Sequence, residues 1–231
     1  MCEFYEIGIK KREERLRSLA IEALKAWNVS NCKLETIKIR ENAVFRVKND
    51  AGLDAAIRVH RYGYHSNAAL LSELNWLRAL NQDEIEVPEV IPADNGALFI
   101  MAEAIGVPEP RQVDMVKWLE GKPLGSIEEG LNQSVENVAD TFREVGALAA
   151  RLHNHAASWQ PPAEFVRHAW NIDGLIGEKP LWGRFWDLPT LDSAQKALLL
   201  RARVAAQDDL TAIGTNSKGY GLIHADLNLD N

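Results

Sequence analysis

The last eight residues of the sequence, HADLNLDN at positions 224–231, hold the side chains best suited to chemistry. The carboxylate of Asp226 is a group that can accept a proton as a general base. The side-chain amide of Asn231 adds a hard oxygen of the kind that binds cations such as magnesium. A short apolar run at residues 221–224 predicts a strand that leads into this segment. The alternative is a polar turn that ends a strand and has no chemical role.

The pattern H-x-D-x-x-x-x-N resembles the catalytic loop of protein kinases and their small-molecule relatives. Ala225 follows the histidine, which is similar to the aminoglycoside phosphotransferase group with its choline and homoserine kinases, whereas protein kinases have arginine there. The resemblance implies that Asp226 deprotonates the attacking hydroxyl, that His224 buttresses the loop, and that Asn231 holds magnesium. It extends over nearly the whole chain.

A basic residue on a predicted strand and an acid on the next predicted helix form a second feature. The segment with Arg58 reads AIRV and resembles the kinase V-A-I-K strand, whose basic residue contacts the α- and β-phosphates. Arginine stays charged and binds phosphate oxygens in a forked geometry. Glu73, on the following helix, is expected to pair with Arg58. Alone, each would be an ordinary surface residue, but their order ahead of the loop favours nucleotide binding.

Two further segments take their roles from the resemblance. Residues 41–47 are similar to the nucleotide loop and second strand of the family, although the kinase glycines are missing. Backbone amides at the Asn42 turn would then cover the phosphates, and a plain hairpin turn is the alternative. Residues 115–121 are similar to the hinge between the lobes. There the Lys117 carbonyl and the Leu119 amide would contact the adenine edge, and the alternative is an edge strand with a solvent-facing lysine.

The elements that must position these residues follow from the spacing of apolar side chains. Apolar residues at helical spacing predict helices at residues 11–27, 66–80, 135–155 and 193–213, with Ser66 as the cap of the second. Short apolar runs between turn residues predict strands at residues 43–47, 55–59, 97–101 and 113–119. The turns at residues 49–52 and 94–96 predict two hairpins.

A sheet-rich part followed by a helical part predicts the fold class α+β. The resemblance implies a protein-kinase-like two-lobed fold, with an antiparallel sheet lobe that binds nucleotide at residues 1–118. An incomplete helical lobe would follow at residues 119–231. We expect a cleft between the lobes, with Arg58 and Asp226 facing each other across it.

Composition excludes several classes of protein. The 231 residues are 46% hydrophobic and 26% charged, which is an ordinary globular balance. The net charge of −7 disfavours nucleic acid or an anionic membrane as a partner. No apolar run approaches the length of a membrane-spanning helix, and the N-terminus lacks a signal-like segment. The two cysteines form no metal or disulfide pattern, so we expect a cytoplasmic protein of unknown oligomeric state.

The resemblance implies an enzyme that moves the γ-phosphate of ATP, with Mg²⁺ as cofactor, to a hydroxyl of a small molecule. Aminoglycosides, homoserine and choline-like compounds are acceptors in the family, and the sequence does not choose among them. In the family, a strand and an acidic segment with another magnesium ligand follow the loop. Because the sequence ends at Asn231, we expect a truncated chain with little or no turnover.

Two alternatives stay open. The chain could be a non-catalytic nucleotide-binding or interaction protein that keeps kinase-like lobes. It could also be a metal hydrolase, which would require four side chains to converge: His153, His155, His224 and Asp226. Catalytic zinc sites need three closely placed ligands, whereas helix positions two apart point in different directions, which disfavours the hydrolase.

Overall fold

The structure is a computed structural model that describes residues 3–126, 130–131, 135–216 and 219–227. These residues form two compact units. The first unit holds the described residues up to Gly130 together with Pro161–Phe165, and the second holds Leu131–Gln160 with the described residues from Val166 onward. The domain boundary that we predict between residues 118 and 119 stays a prediction.

The first unit is built on a five-stranded antiparallel sheet with strand order β1-β2-β3-β5-β4. Its elements in chain order are α1 (Glu3–Glu6), α2 (Ile9–Ala23), a 3-10 turn (Leu24–Trp27), β1 (Cys32–Ile39), β2 (Asn42–Asn49), β3 (Asp54–His60), α3 (Asn67–Gln82), β4 (Phe99–Ala102), β5 (Arg111–Lys117) and β6 (Gly125–Ser126). In the following strand, β7 (Gly130–Leu131), Gly130 belongs to the first unit and Leu131 to the second.

Residues of β2 and β3 alternate between two buried layers, because successive side chains of a strand point to opposite faces. Phe45 and Ile57 are fully buried with Leu19 of α2 in the larger core cluster. Ala56, next to Ile57 in the chain, instead joins Leu70 of α3 in a second cluster. Helices therefore cover both faces of the sheet, and we call the surface that carries Ala56 the α3 face.

Local sequence signals explain where α3 begins and how the chain turns between β2 and β3. The Ser66 side chain accepts a hydrogen bond from the backbone N–H of Ala69 at 3.1 Å, which confirms the predicted helix cap. In the turn between β2 and β3, the Asn49 side chain accepts from the backbone N–H of Leu53 at 2.9 Å. Gly52 adopts a φ of 93°, which glycine tolerates without steric cost. The first predicted hairpin is confirmed.

The second predicted hairpin is wrong in its pairing. The turn at residues 94–96 predicts that residues 88–93 pair with the strand after it. The backbone N–H of Ala93 donates to the Ala97 carbonyl at 2.8 Å across the turn, but beyond this contact both segments lie against β5. The segment before the turn forms a single bridge, between Val90 and Val116. Pro88 and Pro92 flank that bridge, and a proline has no N–H to donate to a longer ladder.

Strand β1 was not predicted, because it lacks a clear apolar alternation. Leu34 is its only buried residue. The strand lies at the edge of the sheet, and its register with β2 shifts between Thr36 and Lys38. An irregular edge strand buries few side chains, so its sequence carries little of the period-two signal.

The second unit is helical. Its elements are α4 (Val135–Ser158), α5 (Ile172–Ile176), a 3-10 turn (Phe185–Asp187) and α6 (Ser193–Ile213). A capping box between Asp192 and Gln195 begins α6, which confirms the predicted position of this helix. Trp186 is buried under the guanidinium of Arg203, 4.2 Å from the ring centroid. Among the described helices, none combines the length and apolar character that crossing a bilayer requires.

The strand predicted at residues 221–224 is not observed. The described segment 219–227 has no regular secondary structure, and Ile223 is 45% exposed. A strand requires a pairing partner, and this apolar run has none among the described residues.

Candidate functional site

The α3 face of the sheet carries an apolar surface made by three neighbouring strands. Ala56 of β3 lies opposite Val116 of β5, and Val44 of β2 lies opposite Arg58. Ala56 and Val116 are buried, while Val44 is half-buried. An apolar surface beside a charged side chain suits a ring that carries an anionic group.

Arg58 is held at the border of this surface by two carboxylates. Its Nε donates to Asp114 Oδ1 at 2.7 Å and its Nη2 donates to Asp114 Oδ2 at 3.1 Å. Its Nη1 donates to Glu73 Oε1 at 3.1 Å. Sheet register places Arg58 directly opposite Asp114, and α3 brings Glu73 over the strand. The two-point contact with Asp114 fixes the plane of the guanidinium.

We call Arg58, Asp114 and Glu73 the Arg58 cluster. His60 and the amide side chains of Gln112 and Asn67 extend it. His60 Nε2 lies 2.5 Å from Asp114 Oδ2, and both side chains are buried. Gln112 of β5 donates to the side-chain oxygen of Asn67, the first residue of α3, at 2.7 Å. Strand β5 is therefore joined to α3 by polar contacts as well as by apolar packing.

The charges of this cluster stabilise one another against burial. Burial alone raises the pKa of Asp114, but the Arg58 guanidinium and the contact with His60 outweigh it and hold that pKa below its usual value. Burial lowers the pKa of Arg58, and the charges of Asp114 and Glu73 more than offset this and raise it. Arg58 therefore stays charged, and its charge is opposed by two carboxylates.

The structure brings Arg58 and Glu73 together, as the predicted pairing requires, while their role toward phosphate stays a prediction. The sequence reasoning missed Asp114 and His60. One signal was available, because an aspartate in the apolar run of β5 is a charge that burial would force to find a partner.

A second arginine, Arg46 of β2, holds the predicted hinge against the sheet. Its Nε and Nη2 donate to the two oxygens of Asp54 at 2.8 and 2.7 Å, and it also contacts the Glu120 carboxylate. Its guanidinium lies 4.2 Å from the ring centroid of Trp118. The Arg46 hydrogen bond lowers the pKa of Asp54 to about 2, and Arg46 likewise lowers the pKa of Glu120. The sequence reasoning did not identify Arg46 or Trp118.

Of the two hinge residues, Lys117 is the last residue of β5 and Leu119 lies two residues beyond it. The backbone N–H of Lys117 donates to the carbonyl of Glu89 at 2.7 Å, and its Nζ lies in solvent, 3.8 Å from Glu89 Oε2. Leu119 is 43% exposed. Adenine contacts through the Lys117 carbonyl and the Leu119 amide stay predictions.

Asn42 is the first residue of β2 and lies opposite His60 in the sheet. Its carbonyl accepts from the backbone N–H of Arg40 at 3.1 Å, which closes the turn between β1 and β2. The Oδ1 atom of Asn42 is buried and has no hydrogen-bond partner among the described residues. The turn is thus at the same end of the strands as the Arg58 cluster, and its predicted contact with phosphate is not tested.

The segment predicted as the catalytic loop lies in the second unit. The backbone N–H of Asp226 donates to His224 Nδ1 at 3.3 Å, so the histidine holds the loop backbone locally. Ala225 between them has a φ of 67°, a left-handed conformation that is strained for a residue other than glycine. The side chains of His224 and Asp226 are exposed. Their catalytic roles, and the predicted approach of Asp226 to Arg58, stay predictions.

The predicted magnesium ligand, Asn231, lies outside the described residues. Within the described part of the chain, no three histidine, cysteine or acidic side chains come close enough to hold a metal ion. All four residues of the hydrolase alternative are described, so that alternative finds no support.

The chain is similar to known proteins in both sequence and structure. The sequence model of APH, described as "Phosphotransferase enzyme family", matches residues 34–231. No curated protein matches the chain. A microcompartment-associated aminopropanol kinase is similar in structure, with a TM-score of 0.73 and 32% sequence identity over 97% of this chain and 64% of that chain.

A second similar structure is the amicoumacin kinase hAmiN in complex with AMP-PNP, Ca²⁺ and Ami. Its TM-score is 0.71 at 17% identity, over 97% of this chain and 62% of that chain. These likenesses confirm the α+β, protein-kinase-like fold. The chain spans slightly less than two thirds of the length of both kinases.

Proposed function

The chain belongs to the APH phosphotransferase enzyme family, and from this we propose that it transfers the γ-phosphate of ATP to a hydroxyl of a small molecule. The observation that carries the proposal is the pairing of Arg58 with Glu73 beside the apolar surface of the α3 face. That arrangement is the one the kinase strand and helix pattern requires.

Arg58 would bind the phosphates with the donors that its carboxylate partners do not use. A guanidinium has five N–H donors, and three of those on Arg58 go to Asp114 and Glu73. The other two have no partner among the described residues. In the proposal, the adenine ring lies on Val44, Ala56 and Val116 and meets the backbone of the hinge at Lys117 and Leu119. The backbone amides of the turn at Asn42 would cover the phosphates.

Asp226 would act on the acceptor. It takes the proton of the acceptor hydroxyl, whose oxygen then bonds to the γ-phosphorus while the bond from that phosphorus to the β,γ-bridging oxygen breaks and ADP leaves. His224 would hold the loop in the conformation that presents Asp226, a role supported by its contact with the Asp226 backbone.

A divalent cation, Mg²⁺, belongs to the proposal because Arg58 brings no net positive charge. Its charge is opposed by Asp114 and Glu73, so a polyphosphate needs another source of neutralisation. Bound Mg²⁺ would supply that neutralisation, and Asn231 is the residue expected to hold it.

For the acceptor we propose a small amino alcohol. Support comes from the 32% identity with a kinase named for aminopropanol and from the net charge of −7, which suits a cationic substrate. Choline, homoserine and aminoglycosides are the acceptors to compare with it. We also propose a cytoplasmic location, because the two cysteines show no disulfide pattern.

The test measures binding before turnover. Binding of Mg·ATP is measured by calorimetry for the chain and for the R58A variant, with the exposed Arg143 changed to alanine as the control. We expect binding that R58A weakens and R143A leaves unchanged. The absence of ATP binding by the unaltered chain at millimolar Mg²⁺ would contradict the proposal.

Turnover is then measured by the transfer of labelled phosphate to each acceptor, with D226N as the inactive variant. Phosphorylation that D226N abolishes supports the enzyme. If ATP binds but no acceptor is phosphorylated, the non-catalytic nucleotide-binding alternative is the better account, although the comparisons offer nothing specific in its favour.

A further inference from the structure

We infer that Asp114 is the positioning residue that makes arginine, rather than lysine, necessary at position 58. This inference rests on the proposed function, since it concerns how Arg58 is presented to a nucleotide. Asp114 lies on β5, outside every segment that the kinase resemblance assigned to phosphate binding.

The geometry of the contact is specific to a guanidinium. Asp114 accepts one hydrogen bond from Nε and one from Nη2, so both carboxylate oxygens lie along one edge of the Arg58 group. Glu73 accepts from Nη1 on another side. A lysine ammonium is one nitrogen with three donors and cannot span two carboxylates in this fixed plane.

Asp114 cannot adapt to a shorter or differently shaped partner. Its side chain is 0% exposed, so water cannot replace a lost hydrogen bond. Its Oδ2 is also fixed by His60, whose ring lies 2.5 Å away and is itself buried. Replacing Arg58 by lysine would therefore leave a buried carboxylate with incomplete compensation.

The same contact decides where the two remaining donors of Arg58 point. Because Asp114 holds the Nε edge of the guanidinium, the free N–H groups on Nη1 and Nη2 have fixed directions. A phosphate that meets pre-oriented donors loses less binding energy to side-chain ordering. Asp114 thus acts on ATP through Arg58 and does not need to touch the nucleotide.

The first test compares the affinities of ATP and adenosine, each titrated into the 231-residue chain with Mg²⁺ present. For D114N we expect the ATP affinity to fall by roughly tenfold while the adenosine affinity stays the same. A purely structural role would lower both affinities together. The control is D187N, which removes another arginine-bound aspartate from the second unit and should leave the ratio unchanged.

The outcomes separate this inference from the proposed function. A chain that does not prefer ATP over adenosine overturns the proposed function and this role of Asp114 with it. A preference for ATP that persists in D114N overturns the role of Asp114 alone. An equal loss of both affinities in D114N does the same.

The second test is a thermal-melting cycle of R58K, D114N and the double variant R58K/D114N. We expect R58K to melt well below the unaltered chain and the double variant to melt above R58K, because the introduced lysine then pairs with Glu73 and no buried charge is left over. If D114N does not fold, the double variant replaces it in the first test, and its preference for ATP over adenosine should be weaker than that of the unaltered chain, because no guanidinium is then held by Asp114. A double variant that melts no higher than R58K, or that keeps the full ATP preference of the unaltered chain, overturns the inference.

Discussion

Two arginine–aspartate pairs on the same sheet have nearly the same geometry and opposite surroundings. Arg58 meets Asp114 at 2.7 and 3.1 Å, and Arg46 meets Asp54 at 2.8 and 2.7 Å. The Asp114 side chain is 0% exposed, whereas that of Asp54 is 37% exposed. Hydrogen-bond distances therefore do not distinguish the pairs, and burial of the aspartate determines how much each pair contributes to stability.

The difference follows from what replaces a lost partner. At Asp54, water and Lys48, whose Nζ is 3.2 Å away, can take the place of Arg46. At Asp114, the remaining neighbour is His60 and no solvent reaches the carboxylate. The interior pair therefore suits a group that must keep one orientation, and the exposed pair suits a contact that fastens the segment around Trp118.

The comparison predicts its largest effect when each arginine is replaced by methionine. R58M leaves Asp114 buried without its main partner, and we expect it to lower the free energy of unfolding by about 3–5 kcal/mol. R46M leaves Asp54 in partial contact with water, and we expect a loss several times smaller. Urea denaturation of both variants measures the two values, and equal losses would show that burial does not separate the pairs.

Of the two contacts that hold Arg58, the sequence alone predicted the one with Glu73, which depends on local pattern. Arg58 and Glu73 are fifteen residues apart on a strand and the next helix, and their order in the chain identified the pair. Asp114 is 56 residues from Arg58, and only sheet register brings the two together. A buried charge signals that a partner exists but not which residue it is, so the sequence could not identify this contact.

The same limit explains which elements were predicted. Helices α3 and α6 have caps and apolar spacing within their own residues, and the hairpin of β2 and β3 has its own turn. The pairing of β4 with β5, and of Val90 with Val116, depends on residues distant in the chain. The run before Asp226 had the composition of a strand and lacked a partner among the described residues.

Acid should affect the two pairs in the same direction but with different sensitivity to salt. Both aspartates have a lowered pKa in the folded chain, so the stability they confer is present at neutral pH and is lost as the pH falls through the folded pKa. For Asp54 that loss lies between pH 3.8 and about pH 2. The urea midpoint is measured as a function of pH for the unaltered chain, D114N and D54N.

Salt should separate the two contributions. At about 1 M sodium chloride the screening length falls to about 3 Å, so the attraction of exposed charges weakens and the difference between the unaltered chain and D54N should shrink. The difference for D114N should persist, because the buried pair is not reached by ions. A D114N difference that disappears at high salt would mean that the interior pair is as accessible as the exposed one.

Removal of divalent cations tests whether Arg58, held by Asp114 and Glu73, can neutralise the phosphates of ATP by itself. Arg58 is opposed by two carboxylates, so we expect excess EDTA to weaken ATP binding by about tenfold or more, which corresponds to about 1.4 kcal/mol. Adenosine, which has no phosphate, should bind equally with and without Mg²⁺. ATP binding that EDTA does not weaken would indicate that the Arg58 cluster neutralises the phosphates of ATP without a cation.

The smallest effect is expected for R46K. Lysine keeps the charge beside Asp54 and Glu120 but loses the two-point contact and the stacking on Trp118, so the free energy of unfolding should fall by less than it does in R46M. R58K, the same substitution at the interior pair, is the matched control and should cost clearly more, because its aspartate has no access to water. Urea denaturation of both lysine variants under the same conditions gives the comparison. A loss in R46K as large as that in R58K would show that the stacked Trp118, and not burial of the aspartate, governs the stability of an arginine on this sheet.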